Sequence, residues 1–139
     1  MEAQCIFCKI VKGEIPSYKV YEDERVLAFL DINPIAQGHT LIIPKRHAGK
    51  IYELSDEELN AFFVAVAKIA PAVEKAANTN ALNYLINQGR EAGQIMPHFH
   101  MHITPRREKD GVEMRVPRHR KLSEKEFKDM AEKIAKNIK

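Results

Sequence analysis

From His98 to Ile103 the chain alternates histidine with an apolar residue: His98-Phe99-His100-Met101-His102-Ile103. A period of two marks a half-buried strand, whose successive side chains point to opposite faces. The run therefore predicts a strand that turns Phe99, Met101 and Ile103 into a core and gathers three imidazoles on its other face. Same-face neighbours on a strand lie roughly 6.5 to 7 Å apart. Three of the six histidines of the chain fall in this row. A row of this kind can grip a metal, a phosphate or a reacting group. Three ligands to one ion is a poor fit, since on a straight strand the outer imidazoles diverge over roughly 13 Å and metal bonds are about 2 Å. Two of them with a distant third ligand would still reach.

The rest of the chain supplies a setting for that row. Residues 88–94, just before it, carry Gly89 and Gly93, which permit positive φ and close backbone approach, as a phosphate-lining loop needs. Cys5 and Cys8 are the only cysteines. Cys-x-x-Cys at the amino end, with no preceding strand, suits half a zinc site better than a thioredoxin-like redox pair. His47 and His98 are the candidates for the other half.

A chain of 139 residues with 45% hydrophobic and 29% charged residues suits one domain with a core that needs no disulfides. No stretch approaches the eighteen or so consecutive apolar residues of a membrane span. The amino end lacks the basic and apolar regions of a signal peptide, so the expected location is cytoplasmic, with reduced cysteines. The net charge of +3 is unevenly placed: from Pro105 onward twelve Lys/Arg stand against seven Asp/Glu, and before it ten against twelve. The basic carboxyl third interleaves acids and lacks the aromatics of a single-strand binder. Nucleic acid is therefore not the expected partner.

Residues 7–15 space apolar side chains for one short helix ending near Gly13 and Pro16. Strands are expected over 18–21 and 26–30, joined by an acidic turn, then over 39–44 and 82–87. Asp31 reads as a turn residue before Asn33-Pro34, and His39 as a structural residue at the head of its strand. Ser55 and Glu58 form a capping box that opens a long amphipathic helix, which Pro71 should kink or restart. Ser123 and Glu126 form a second box, opening a terminal helix with Phe127, Met130, Ile134 and Ile138 on one stripe. The expected fold class is α+β: about five antiparallel strands, a long central helix, a C-terminal helix and a small amino-terminal one.

The line running from Gln94 to Arg106 through the three histidines closely resembles the signature of the histidine triad (HIT) family of nucleotide hydrolases and transferases. Further blocks stand in that family's order: Ile6-Phe7-Cys8-Lys9-Ile10, Phe29-Leu30-Asp31-Ile32-Asn33-Pro34 and Gly38-His39-Thr40-Leu41-Ile42-Ile43-Pro44-Lys45-Arg46-His47. The resemblance covers roughly 5–107. It implies a HIT domain core over 1–107, with 108–139 as a C-terminal extension of the same domain.

The resemblance implies that His100 is a nucleophile attacking the α-phosphorus of a purine nucleotide, with His102 binding a phosphate oxygen or helping the leaving group depart. The chemistry of the residues agrees, because neutral imidazole is nucleophilic near pH 7 and a covalent intermediate splits one hard displacement into two. Phe7, Ile10, Ile15 and Ile32 are implied as a base slot, Asp31 as the ribose ligand, and Asn87, Gly93 and Gln94 as phosphate-side groups. One branch of the family pairs Cys5, Cys8, His47 and His98 around a structural zinc. A serine of the phosphoramidase branch is replaced here by Ile95, which leaves the choice between phosphoramidates and dinucleoside polyphosphates open. The resemblance also implies a homodimer. The alternative function is a non-catalytic nucleotide-binding or partner-binding regulatory module.

Overall fold

Asp23 closes the first hairpin, its Oδ1 accepting the backbone N–H groups of Arg25 and Val26, both at 2.8 Å. The strands it joins are β1 (Lys19–Glu22) and β2 (Val26–Leu30). The computed structural model describes residues 2–113 and 117–139. Three more strands, β3 (Thr40–Pro44), β4 (Leu82–Leu85) and β5 (Met101–Pro105), complete a five-stranded sheet in the order β1-β2-β3-β5-β4. All neighbours pair antiparallel. The α+β architecture is the one expected.

Each face of the sheet carries its own core. Helix α2 (Asp56–Ala77) lays Phe62, Ala65, Val66, Ile69 and Val73 over Val26, Ala28, Ile42, Phe99, Met101 and Ile103. The other face presents Leu27, Phe29, Leu41 and Ile43 to Phe7, Cys5 and Cys8. Phe7 and Cys8 belong to the short helix α1 (Ile6–Val11). With both faces covered, Val26 to Phe29 and Thr40 to Pro44 are buried without alternation, as a doubly packed strand requires.

Both capping boxes form as expected. Ser55 and Glu58 exchange hydrogen bonds with each other's backbone N–H at the head of α2, and Ser123 and Glu126 do the same for α3 (Glu124–Asn137). Helix α2 runs through Pro71 without restarting. Pro71 lies on the exposed side, while Ile69, Ala70 and Val73 around it hold the helix to the core. Every residue of α3 is exposed, including Phe127, Met130 and Ile134.

The histidine row differs from the expected straight strand. Strand β5 begins at Met101, and His98 and His100 precede it. The pairing of β3 with β5 ends at Ile42 against Met101; two residues on stands Pro44, which has no N–H to extend a ladder. Phe99 instead donates its N–H to Ala48 at 2.6 Å. The alternation survives this bend: Phe99, Met101 and Ile103 lie in the α2 core. Strand β4 likewise stops at Leu85, two residues short of the expected end, and α1 stops at Val11. Among the described residues no helix is long and apolar enough to cross a membrane.

Candidate active site

His100 and His102 stand in the wall of a cavity of about 580 Å³ on the face of the sheet opposite α2. Their rings meet edge to face with centroids 5.0 Å apart. Backbone geometry sets the state of His100, whose Nδ1 lies 2.7 Å from the carbonyl oxygen of His98. A carbonyl only accepts, so Nδ1 carries the proton and donates it there. Nε2 is thus the nitrogen turned to the cavity, and the tautomer that can act as a nucleophile is the one this contact fixes.

His39, expected to be structural, belongs to this site. Its Nε2 lies 2.9 Å from Nδ1 of His102, and its Nδ1 accepts the N–H of Ile35 at 3.3 Å. The second contact fixes the direction of the first: with Nδ1 accepting, Nε2 holds the proton and donates to His102, whose own proton is thereby placed on Nε2. Burial pushes the pKa of His102 down to about 4, with the neighbouring His100 and His39 acting in the same sense. Burial also lowers His39. Both rings are therefore neutral near pH 7. Strand period would have revealed His39, since it shares a face with Leu41 and Ile43, two and four residues on.

Asp31, His39 and His102 lie close enough to suggest a cation site. The ring geometry speaks for a hydrogen bond instead. The His39 and His102 centroids are 5.1 Å apart, close to the nitrogen–nitrogen separation plus a ring radius at each end. The two nitrogens thus lie on the line between the rings, where a shared proton fits and a metal ion does not. Asp31 Oδ1 accepts the N–H of Asn33 at 2.8 Å, while Oδ2 sits 3.6 Å from His39 Nε2.

The residues expected to hold a nucleoside come together in the wall of the cavity. Phe7, Ile10, Ile15, Asp31 and Ile32 all line it, as do Phe29 and Leu41. Phe7 packs edge-on against Phe29 and against His100, with centroids at 5.7 and 5.2 Å. Asn87 and Gly93 line it too.

Gln94 is placed differently from expectation. Its side-chain carbonyl accepts from Gly89 N–H at 2.9 Å and its amide donates to Gly49 carbonyl at 3.0 Å, tying the glycine loop to the segment after β3. The backbone N–H groups of Gly93 and Gln94 are also engaged inside the turn, on Arg90 and Gly89. The polar group that this loop leaves in the cavity wall is Asn87. Gly93 itself has φ +94°, and a β-carbon there would meet the Asn87 amide at 3.5 Å.

Behind the nucleophile lies a second cluster. Cys5, Cys8, His47 and His98 place one donor atom each within 4.8 Å of one another. Cys5 Sγ is 3.4 Å and Cys8 Sγ 3.6 Å from His98 Nδ1, and Cys8 Sγ is 3.3 Å from His47 Nδ1. Zinc bonds of about 2.3 Å to sulfur and 2.0 Å to nitrogen set tetrahedral edges of roughly 3.5 Å. The donor set therefore fits zinc in both chemistry and spacing. His98 is fully buried and donates Nε2–H to the Pro44 carbonyl at 2.8 Å, which leaves Nδ1 free to ligate. Burial holds the pKa of His98 down to about 4 and raises the Cys8 thiol to about 11. His47 is delivered by its neighbour Arg46, whose guanidinium makes a bidentate pair with Glu58 at 2.6 and 2.7 Å.

Comparison with known proteins bears on the family and the fold. The sequence matches the HIT domain family over residues 12–109. It is 56% identical over 102 residues to Protein hit of Bacillus subtilis, covering 73% of this chain and 70% of that one. It is 44% identical over 136 residues to adenosine 5'-monophosphoramidase hnt1 of Schizosaccharomyces pombe, covering 97% and 98%. Among solved structures, a HIT family member from Bacillus subtilis superposes with TM-score 0.91 at 46% identity, covering 98% of each chain. A Zn-bound histidine triad protein from Mycobacterium smegmatis superposes with TM-score 0.75 at 36% identity, covering 84% of this chain and 85% of that one.

Proposed function

This chain belongs to the HIT domain family, and on that premise we propose that it hydrolyses a purine nucleotide conjugate at the α-phosphate through a nucleotidyl-histidine on His100. The observation that carries the reading is the hydrogen bond from His100 Nδ1 to the His98 carbonyl, because it leaves Nε2 as the nitrogen available in the cavity wall.

The base enters the slot of Phe7, Ile10, Ile15 and Ile32, and Asp31 accepts from the vicinal ribose hydroxyls. That placement brings the α-phosphorus over His100. Nε2 forms a bond to phosphorus as the bond to the leaving group breaks; neutral His102 donates a hydrogen bond from Nε2–H to the departing atom, which takes its proton from water. His39 holds His102 in that tautomer. Water then cleaves the phosphorus–nitrogen bond, releasing a nucleoside monophosphate and restoring the imidazole. Asn87 donates to the phosphoryl oxygens, where charge accumulates in the transition state.

Zinc on Cys5, Cys8, His47 and His98 would be structural, with four protein ligands and no open position. Its ligands belong to α1, to the segment after β3 and to the residues before β5, so it fastens the base slot to the triad. The Zn-bound relative supports this assignment. The chain acts as a homodimer in this reading, with β4 at the open edge of the sheet and α3 left exposed by its own core.

The test is release of AMP from adenosine 5'-phosphoramidate and from diadenosine tetraphosphate, with His100→Ala as control. Loss of release in the control establishes the chemistry. AMP binding with no turnover of either compound would instead favour a non-catalytic nucleotide-binding module.

A further inference from the structure

We propose that Leu85 and Ile95 form the wall on which the leaving group rests, and that this wall selects uncharged, apolar leaving groups over a polyphosphate or other anion. The proposal rests on His100 as the nucleophile and names the class of conjugate that the site takes.

Strand order lays out the reaction across the sheet. Phe29 on β2 and Leu41 on β3 lie towards the base slot, His102 is on β5, and the next strand, β4, ends at Leu85. A substrate seated from the base slot across His100 therefore carries its leaving group over β4. Register gives the contact: Leu85 stands directly opposite His102 in the pairing of β4 with β5. Directly opposed residues share a face with their β-carbons about 5 Å apart. Whatever leaving-group atom accepts the His102 Nε2–H must lie against Leu85.

Ile95 extends the same wall. It lines the cavity beside Gly93 and Met96, and it is 90% exposed, more than any other large apolar residue among those described; Leu85 is 52% exposed. An exposed isoleucine at the mouth of a reaction cavity contributes apolar surface that only a bound group can cover.

Charge points the same way. Among the described residues, no lysine or arginine lines the cavity, and its one carboxylate is Asp31. Histidines are the basic groups, and His39 and His102 are held neutral. One phosphate can be met by imidazole N–H groups and Asn87. A leaving chain of further phosphates would lie unneutralised against leucine and isoleucine, where arginine or lysine would be needed. An amine or acyl group with an apolar body loses water there without such a cost.

The experiment compares kcat/KM for three probes: the adenosine 5'-phosphoramidates of benzylamine and of glycine, amines of similar basicity, and diadenosine tetraphosphate. Each is measured on the full chain, on Ile95→Lys and on Leu85→Lys. Both positions are surface-exposed, so the variants fold, which circular dichroism checks. The native chain is expected to favour the benzylamine conjugate by about tenfold or more over the glycine one, the order of discrimination that apolar burial gives. Each lysine variant is expected to shrink that ratio at least about fivefold and to raise tetraphosphate turnover. Equal use of the benzylamine and glycine probes by the native chain, or ratios that neither lysine alters, overturns the proposal. Undiminished turnover in His100→Ala overturns the underlying chemistry instead, so the two failures are distinguishable.

Discussion

The carbonyl of His98 holds His100 Nδ1 at 2.7 Å while the His98 ring sits between Cys5 and Cys8. One residue thus joins the metal-ligand cluster to the nucleophile, through its side chain on one side and its backbone on the other.

This junction predicts what loss of the proposed zinc does. Cys8→Ser, or treatment with a chelator strong enough to strip the native protein, frees His98 to shift and loosens the tautomer of His100. Turnover should fall at least about tenfold, and removal of a structural metal should lower the thermal midpoint as well. Metal analysis together with calorimetry checks it; unchanged stability after full metal removal would show that the cluster holds nothing.

His39 should act through His102. His39→Ala removes the donor at 2.9 Å, lets His102 take either tautomer, and is expected to lower kcat by roughly 10- to 100-fold. KM should change little, because His39 stands behind His102. Steady-state kinetics separates the two, and a rise in KM with kcat preserved would place His39 in substrate binding.

Phe7 joins the nucleoside end to the nucleophile, lining the cavity and touching the His100 ring at 5.2 Å between centroids. Loss of an aromatic face costs about 1–3 kcal/mol per stacked base. Phe7→Ala should therefore weaken AMP binding by roughly 5- to 160-fold, read by calorimetric titration. Full affinity in this variant would remove Phe7 from the base slot.

Acid should destabilise the chain through His102. Its pKa falls from 6.5 when exposed to about 4 when folded, so the unfolded chain binds the proton more readily. The stability that this ring contributes is full above about 6.5 and drains away as pH falls towards 4. His102→Gln should show a smaller drop in urea midpoint between about pH 7.5 and pH 5 than the native chain. An identical drop would mean that His102 titrates at its ordinary value.

Much of this is legible in the sequence alone. The alternation around Met101 revealed which face of β5 is buried, and the capping boxes at Ser55 and Ser123 marked two helix starts, because these are local signals with fixed spacing. Cys5 and Cys8 announced half of a cluster. What local pattern could not show was contact across strands. His39 reads as the head of a strand until the β3–β5 register sets it beside His102. Gln94 looks like a phosphate-side amide until its two hydrogen bonds turn it into the loop. The bend before Met101 depends on Pro44 in another strand. Leu85 gains meaning only from its partner.

The most direct measurement is a rapid-quench single turnover of an adenosine phosphoramidate, followed by mass spectrometry of the intact chain and its peptides. The expected result is a transient adduct of one AMP group on the peptide carrying His100, absent in His100→Ala, whose turnover is reduced more than about 10³-fold. Substrate consumed by the His100→Ala variant at the native rate, or an adduct on another residue, would contradict His100 as the nucleophile.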